Sequence, residues 1–153
     1  MSVLAFITRL SSWDFPLLVH VLGAMLMVGA LVLSGSALVV AWRDGSAPLV
    51  RLGYRALLLG VVPSWFVMRA GAEWIASKEH LTKSKASWIG IGFSTADSGA
   101  LFIIIATILS GFAVRRLRTG EGSSGLGRAA TVLVGLLIVA YLVTLWAMAT
   151  KPL

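Results

Sequence analysis

Residues 17–43 read LLVHVLGAMLMVGALVLSGSALVVAWR, with a single charge, Arg43, at the far end and one ionisable ring, His20, near the start. A run this long exceeds the ~20 apolar residues that carry a helix across a bilayer. It is also longer than the roughly 7–15-residue apolar region of a signal peptide, and no small-residue cleavage site follows it, so it reads as a retained span. Its solvent is lipid, and His20 is the residue in it that needs explaining.

The rest of the chain repeats the pattern. Four segments approach spanning length, at about 16–42, 54–76, 97–114 and 129–149. Over the 153 residues, 58% are hydrophobic and 12% charged, against roughly 25% charged in a soluble domain. With no cysteine, thiolate metal sites, disulfides and thiol catalysis are excluded. The net charge of +7 is scattered between apolar runs, which marks the loops of a membrane protein rather than a nucleic-acid surface. Only helices or closed barrels satisfy the backbone within lipid. Runs of helical length therefore predict an all-α, integral-membrane four-helix bundle.

Arg43, Arg51, Arg55, Arg115, Arg116, Arg118 and Arg128 flank the 1–2 and 3–4 connections. Arg9, Lys78, Lys83, Lys85 and Lys151 lie on the other side. The larger, closer-set group belongs in the cytoplasm, so both termini and the 77–96 connection are expected on the outer side of a plasma-membrane, multi-pass protein. Trp13, Trp74, Trp88 and Trp146 on one side, with Trp42 and Tyr54 on the other, fit interfacial belts. Val3, Phe6, Ile7 and Leu10 share a helical face, which reads either as a short interfacial helix or as a frayed terminus. Ser94 and Asp97 have capping-box spacing for span three, which makes Asp97 a cap before it is a functional acid. Pro63 lies within span two and is expected to kink it. Gly23, Ala24, Ala30, Gly111 and Gly135 are small enough for close helix contact.

Several residues carry candidate chemistry. By three-and-four spacing, His20 shares a helical face with Gly23, Ala24, Met27 and Leu31. It reads either as a ligand for haem iron or a metal, or as a neutral ring hydrogen-bonded to a neighbouring helix. Arg69 and Glu73 are four apart and pair on one face. They form either a structural ion pair or, through Arg69, a clamp for an anion such as a haem propionate. Met25, Met27, Met68 and Met148 offer soft sulfur to copper, but also serve as ordinary apolar filler. His80 reads as a solvated loop residue. Gly90 and Gly92 lack the Gly-Lys-Ser/Thr of a phosphate loop, and there is neither a Ser/His/Asp set nor an HExxH.

At "HVLGAMLMVGALV" (20–32), "VVPSWFVMRAGAEW" (61–74) and "LWAMATKP" (145–152), the chain resembles a family of small integral-membrane proteins of unknown function. That family distantly resembles the copper-resistance D-type four-helix membrane domain. The likeness covers most of the chain and falls on His20, Trp146, Met148, Lys151 and Pro152; it implies no activity. The chain is also similar to the four-helix membrane protoporphyrinogen oxidase in opening with a membrane histidine. That family pairs the histidine with a lysine in its third span, whereas residues 97–114 here contain none.

These readings converge on a non-enzymatic membrane protein with a polar pocket near the outer side. His20, Met27, Arg69, Glu73, Trp146 and Met148 are its candidate binding residues, His20 the candidate metal ligand, and haem b the candidate cofactor. The expected surroundings are the lipid bilayer and either a larger membrane complex or a second copy. The alternatives are a structural accessory subunit and a small-solute permease. For the permease, spans three and four offer only Thr107, Ser110, Tyr141 and Thr144 as polar groups.

Overall fold

The computed structural model describes residues 14–78, 87–120 and 124–150, with side chains placed except at 14, 87–91, 93, 124 and 148. The expected interfacial helix at 3–10, His80, Lys151, Pro152 and the side chain of Met148 lie outside that description. The elements are α1 (Asp14–Asp44), α2 (Ala47–Arg55), a π-helical turn (Ala56–Val61), α3 (Val62–Lys78), α4 (Ser87–Thr119) and α5 (Ser124–Ala149). Four stretches are long and apolar enough to cross a membrane: Phe15–Asp44, Ala47–Lys78, Ser94–Thr119 and Gly125–Ala147. The protein is thus an all-α, multi-pass membrane protein, and no strand occurs among the described residues.

The helices run further than the apolar segments suggest. Gly45 turns the chain at φ +66°, and Pro48 sits in the first turn of α2, where its missing N–H costs nothing. The 1–2 connection therefore shrinks to two residues. Gly120, at φ +76°, ends α4 in the same way. At the other end, α4 begins at Ser87, so the second half of the 77–96 connection is helical. Ser94 and Asp97 accordingly lie inside the helix, and the Ser94 carbonyl accepts a bond from the Ser98 hydroxyl at 2.6 Å. The capping-box reading of Asp97 is corrected: its spacing mimics a helix start that lies seven residues earlier.

Span two is not a uniform helix. The Val62 N–H bonds to the Leu57 carbonyl, five residues back, immediately before Pro63. Proline has no N–H, and its ring clashes with the carbonyl four residues earlier. A π turn widens the helix there and re-phases the face that follows. The break expected at Pro63 takes this form.

The spans make an up-and-down ring in which α1 packs on span two and α5, α4 packs on α5, and span two meets α4 mainly through α2. Apolar residues cover the outside. Within each span's most apolar window only 22–33% of the residues are buried, and exposed positions include Leu59, Phe66, Leu101, Ile104, Leu136 and Leu145. Such a surface suits hydrocarbon and would aggregate in water. The interior holds small and hydroxyl-bearing residues: Ser34, Ser64, Ala106, Ser110, Ala113, Ala130, Thr131 and Thr144. Lipid is as apolar as leucine, so helices associate by close packing rather than by hydrophobic burial.

Packing is closest where α1 crosses span two. A β-carbon on Gly23 would lie 2.5 Å from the Met68 nitrogen, and one on Gly71 would lie 2.6 Å from the His20 nitrogen. One on Gly60 would lie 2.7 Å from the Ala30 β-carbon. Further along, the Ser34 hydroxyl donates to the Gly53 carbonyl at 3.0 Å. The contacts run in order down both helices and form an antiparallel seam. Gly29 and Gly135, by contrast, face open space.

Gly23→Ala should therefore destabilise the protein by about 1–3 kcal/mol, as overpacking against fixed backbone does. Gly29→Ala should be neutral or stabilising by up to ~1 kcal/mol through helix propensity. Thermal unfolding of the two variants in one detergent checks the contrast.

Candidate functional site

The seam places His20. With no side chain on Gly71, the backbone of α3 comes against the His20 backbone, and the ring Nδ1 lies 2.9 Å from the Met68 carbonyl oxygen. A carbonyl can only accept, so Nδ1 carries the proton and donates. In the neutral form of the ring this tautomer leaves Nε2 with a lone pair. Helical carbonyls have a second lone pair, so Met68 accepts this bond without surrendering its place in the helical ladder. The ring is half-buried.

Arg69, the residue after Met68, reaches from α3 toward α4. Its Nη2 lies 2.9 Å from Glu73 Oε1 and 3.0 Å from Asp97 Oδ1. The Glu73 pair is the expected one; Asp97 is the addition. The α3 half of span two packs only lightly on α4, and long polar side chains cross the interval. Trp65 does so as well, its indole N–H donating to the Ala96 carbonyl at 3.1 Å. Arg69 is mostly covered, while both carboxylates are more than half exposed, at 54% and 62%. Solvent or headgroups reach the acids, so the pairing orders the helices more than it stabilises them.

The remaining candidates are not gathered here. Met27 is 1% exposed and belongs to the apolar core with Leu31, Leu57 and Val61, about 10 Å along α1 from His20 at 1.5 Å per residue. Trp146 is 66% exposed on α5. Among the described residues, no group of three or more histidines and carboxylates is arranged to hold a metal ion. The structure thus shows two separate contacts, His20 on the Met68 carbonyl between α1 and α3, and Arg69 on Glu73 and Asp97 between α3 and α4.

Sequence reasoning did not find Asp97 as Arg69's second partner. The signal was an acid one turn inside an apolar span, at the end where span two carries an arginine; such a charge is expected to pair. Trp65 was also missed as a polar contact, although a buried aromatic with a polar tip ordinarily has a partner.

The chain matches no protein-family model, and neither a curated protein nor a solved structure is significantly similar to it. The geometry of its own residues therefore carries the functional argument.

Proposed function

We propose that this protein is a non-enzymatic plasma-membrane protein that binds one small group through His20 Nε2, near the outer face, and that haem b is the group best matched to it. The observation that carries the reading is the bond from Nδ1–H to the Met68 carbonyl at 2.9 Å. A histidine that ligates a metal almost always donates its other ring nitrogen in this way, which fixes the tautomer and raises the basicity of the ligating atom. A naked metal ion would need several protein ligands, and none are assembled around His20 among the described residues. Haem iron brings four nitrogens of its own and needs one or two from the protein. Met27 is committed to the core, so His20 is the described residue that would hold the iron, and any second ligand would have to come from Met148, His80 or a second copy. Arg69 already faces two carboxylates; in this reading it bridges helices and leaves a propionate to solvent or headgroups.

Expression with ample haem supply should yield a coloured protein with a Soret band. His20→Ala should abolish that band, at a stability cost of only ~1 kcal/mol for the lost hydrogen bond. Folded wild-type protein that shows no Soret band, even after titration with haemin, would overturn the reading in favour of a structural accessory subunit that copurifies with a larger complex.

A further inference from the structure

Seven arginines collect at the end of the bundle where α1 gives way to α2 and α4 to α5. Arg43 closes α1, Arg51 and Arg55 lie four apart on α2, three more fall in the last five residues of α4, and Arg128 sits just over one turn into α5. All seven side chains are exposed. Against them the sequence sets two acids, Asp44 and Glu121. No lysine stands among them: Lys78 ends α3, and the other three lysines follow α3 or α5 in the sequence. The bias that orients membrane helices counts lysine and arginine alike, so it does not explain an end built from arginine alone. A guanidinium differs from an ammonium in its planar fork of donors, which grips phosphate oxygens two at a time.

The depth suits lipid phosphates. Phe15–Asp44 and Ala47–Lys78 hold 30 and 32 residues, or about 45–48 Å of helix at 1.5 Å per residue. The hydrocarbon core takes ~30 Å of that, so the span ends reach the headgroup layer. One seat is formed there. The Arg128 guanidinium stands over the Trp42 ring, 5.4 Å from its centroid, and joins the start of α5 to the end of α1. The ring attracts the charge through its face, while its indole offers no hydrogen-bond acceptor. Arg128 pairs with no carboxylate among the described residues, so its N–H groups remain for a ligand. One turn deeper on the same two helices, Val39 and Val132 are exposed. By three-and-four spacing they share faces with Trp42 and Arg128. An apolar strip topped by a cation therefore runs from the interface into the hydrocarbon.

We infer that this end of the bundle binds anionic phospholipid, with Arg128 on the headgroup phosphate, Trp42 holding that guanidinium in place, and an acyl chain lying along Val39 and Val132. Every phospholipid carries the phosphate, and net charge selects among them. Phosphatidylcholine brings a quaternary ammonium that the surrounding arginines repel. Phosphatidylglycerol brings none, and its charge gains from each basic residue in reach. Free phosphate or nucleic acid would answer the same charge, but neither would use the apolar strip beneath it.

The test uses the full chain in vesicles of palmitoyl-oleoyl phosphatidylglycerol and palmitoyl-oleoyl phosphatidylcholine in equal parts, released into the gas phase for native mass spectrometry. Wild type should retain the glycerol lipid over the choline lipid roughly tenfold. Arg128→Gln should lower that retention about fivefold, the weight of one basic residue at an anionic surface. Arg128→Lys and Trp42→Leu keep the net charge, yet each should lower it about two- to fivefold, through the lost fork or the lost ring. At the opposite end Lys78 stands over the Trp74 ring at 5.9 Å, so Lys78→Gln is the matched control and should leave retention unchanged. Thermal unfolding in one detergent confirms that each variant compared is folded. Equal retention of the two lipids by wild type, undiminished retention in Arg128→Gln, undiminished retention in both charge-conserving variants, or an equal loss in Lys78→Gln would overturn the assignment. So would displacement of the retained lipid by millimolar inorganic phosphate, or nucleic acid copurifying in its place.

Discussion

The crossing of α1 over span two is the contact on which the rest of the structure depends. Between helices in lipid there is no hydrophobic force to exploit, so association rests on how closely two backbones approach. Gly23 and Gly71 remove the side chains that would hold α1 and α3 apart. Gly60 does the same against Ala30 on the far side of Pro63. The π turn, which itself contains Gly60, lets span two present small residues to α1 both before and after the proline. Without it, the helix on one side of Pro63 would turn a different face to its partner.

That seam also sets the chemistry. His20 meets the Met68 carbonyl because its own backbone lies against Gly71. The residue after Met68 is then directed outward from the seam, toward α4, where Arg69 bridges Glu73 and Asp97. One packing choice thus yields a histidine with an oriented tautomer and an ionic link to the third span. The interior is otherwise economical with polarity. Thr107, Thr131 and Thr144 return their hydroxyls to carbonyls four residues back in their own helices, so they place no demand on neighbours. Ser110 and Tyr141 are buried hydroxyls without partners among the described residues.

Much of this was legible in the sequence because lipid imposes simple rules. The number of spans followed from apolar run length, and the face bearing Gly23, Met27 and Leu31 is indeed buried. Helix ends were less legible. An apolar run reports where hydrocarbon begins, whereas helix continues into the headgroup region while its backbone bonds remain internal. That is why α4 starts at Ser87 and the Ser94–Asp97 pair was mistaken for its cap. Side-chain partners were least legible. The spans are apolar nearly all round, so periodicity marks no inward stripe, and the meeting of Arg69 with Asp97 depends on which spans are neighbours in the ring. Composition alone leaves that order open.

The central claim is that α1 and span two touch backbone to backbone, and the absence of native cysteine makes it directly measurable. A β-carbon at residue 60 would stand 2.7 Å from that of Ala30, so a modest relaxation brings the pair to the ~3.5–4.5 Å of a disulfide. The double variant Ala30→Cys with Gly60→Cys, oxidised mildly in membranes, should form an intramolecular disulfide nearly to completion. The pair Ala30→Cys with Gly135→Cys should form none, since residue 135 faces open space. Failure of the first pair to cross-link, or equal cross-linking of both, would contradict the account.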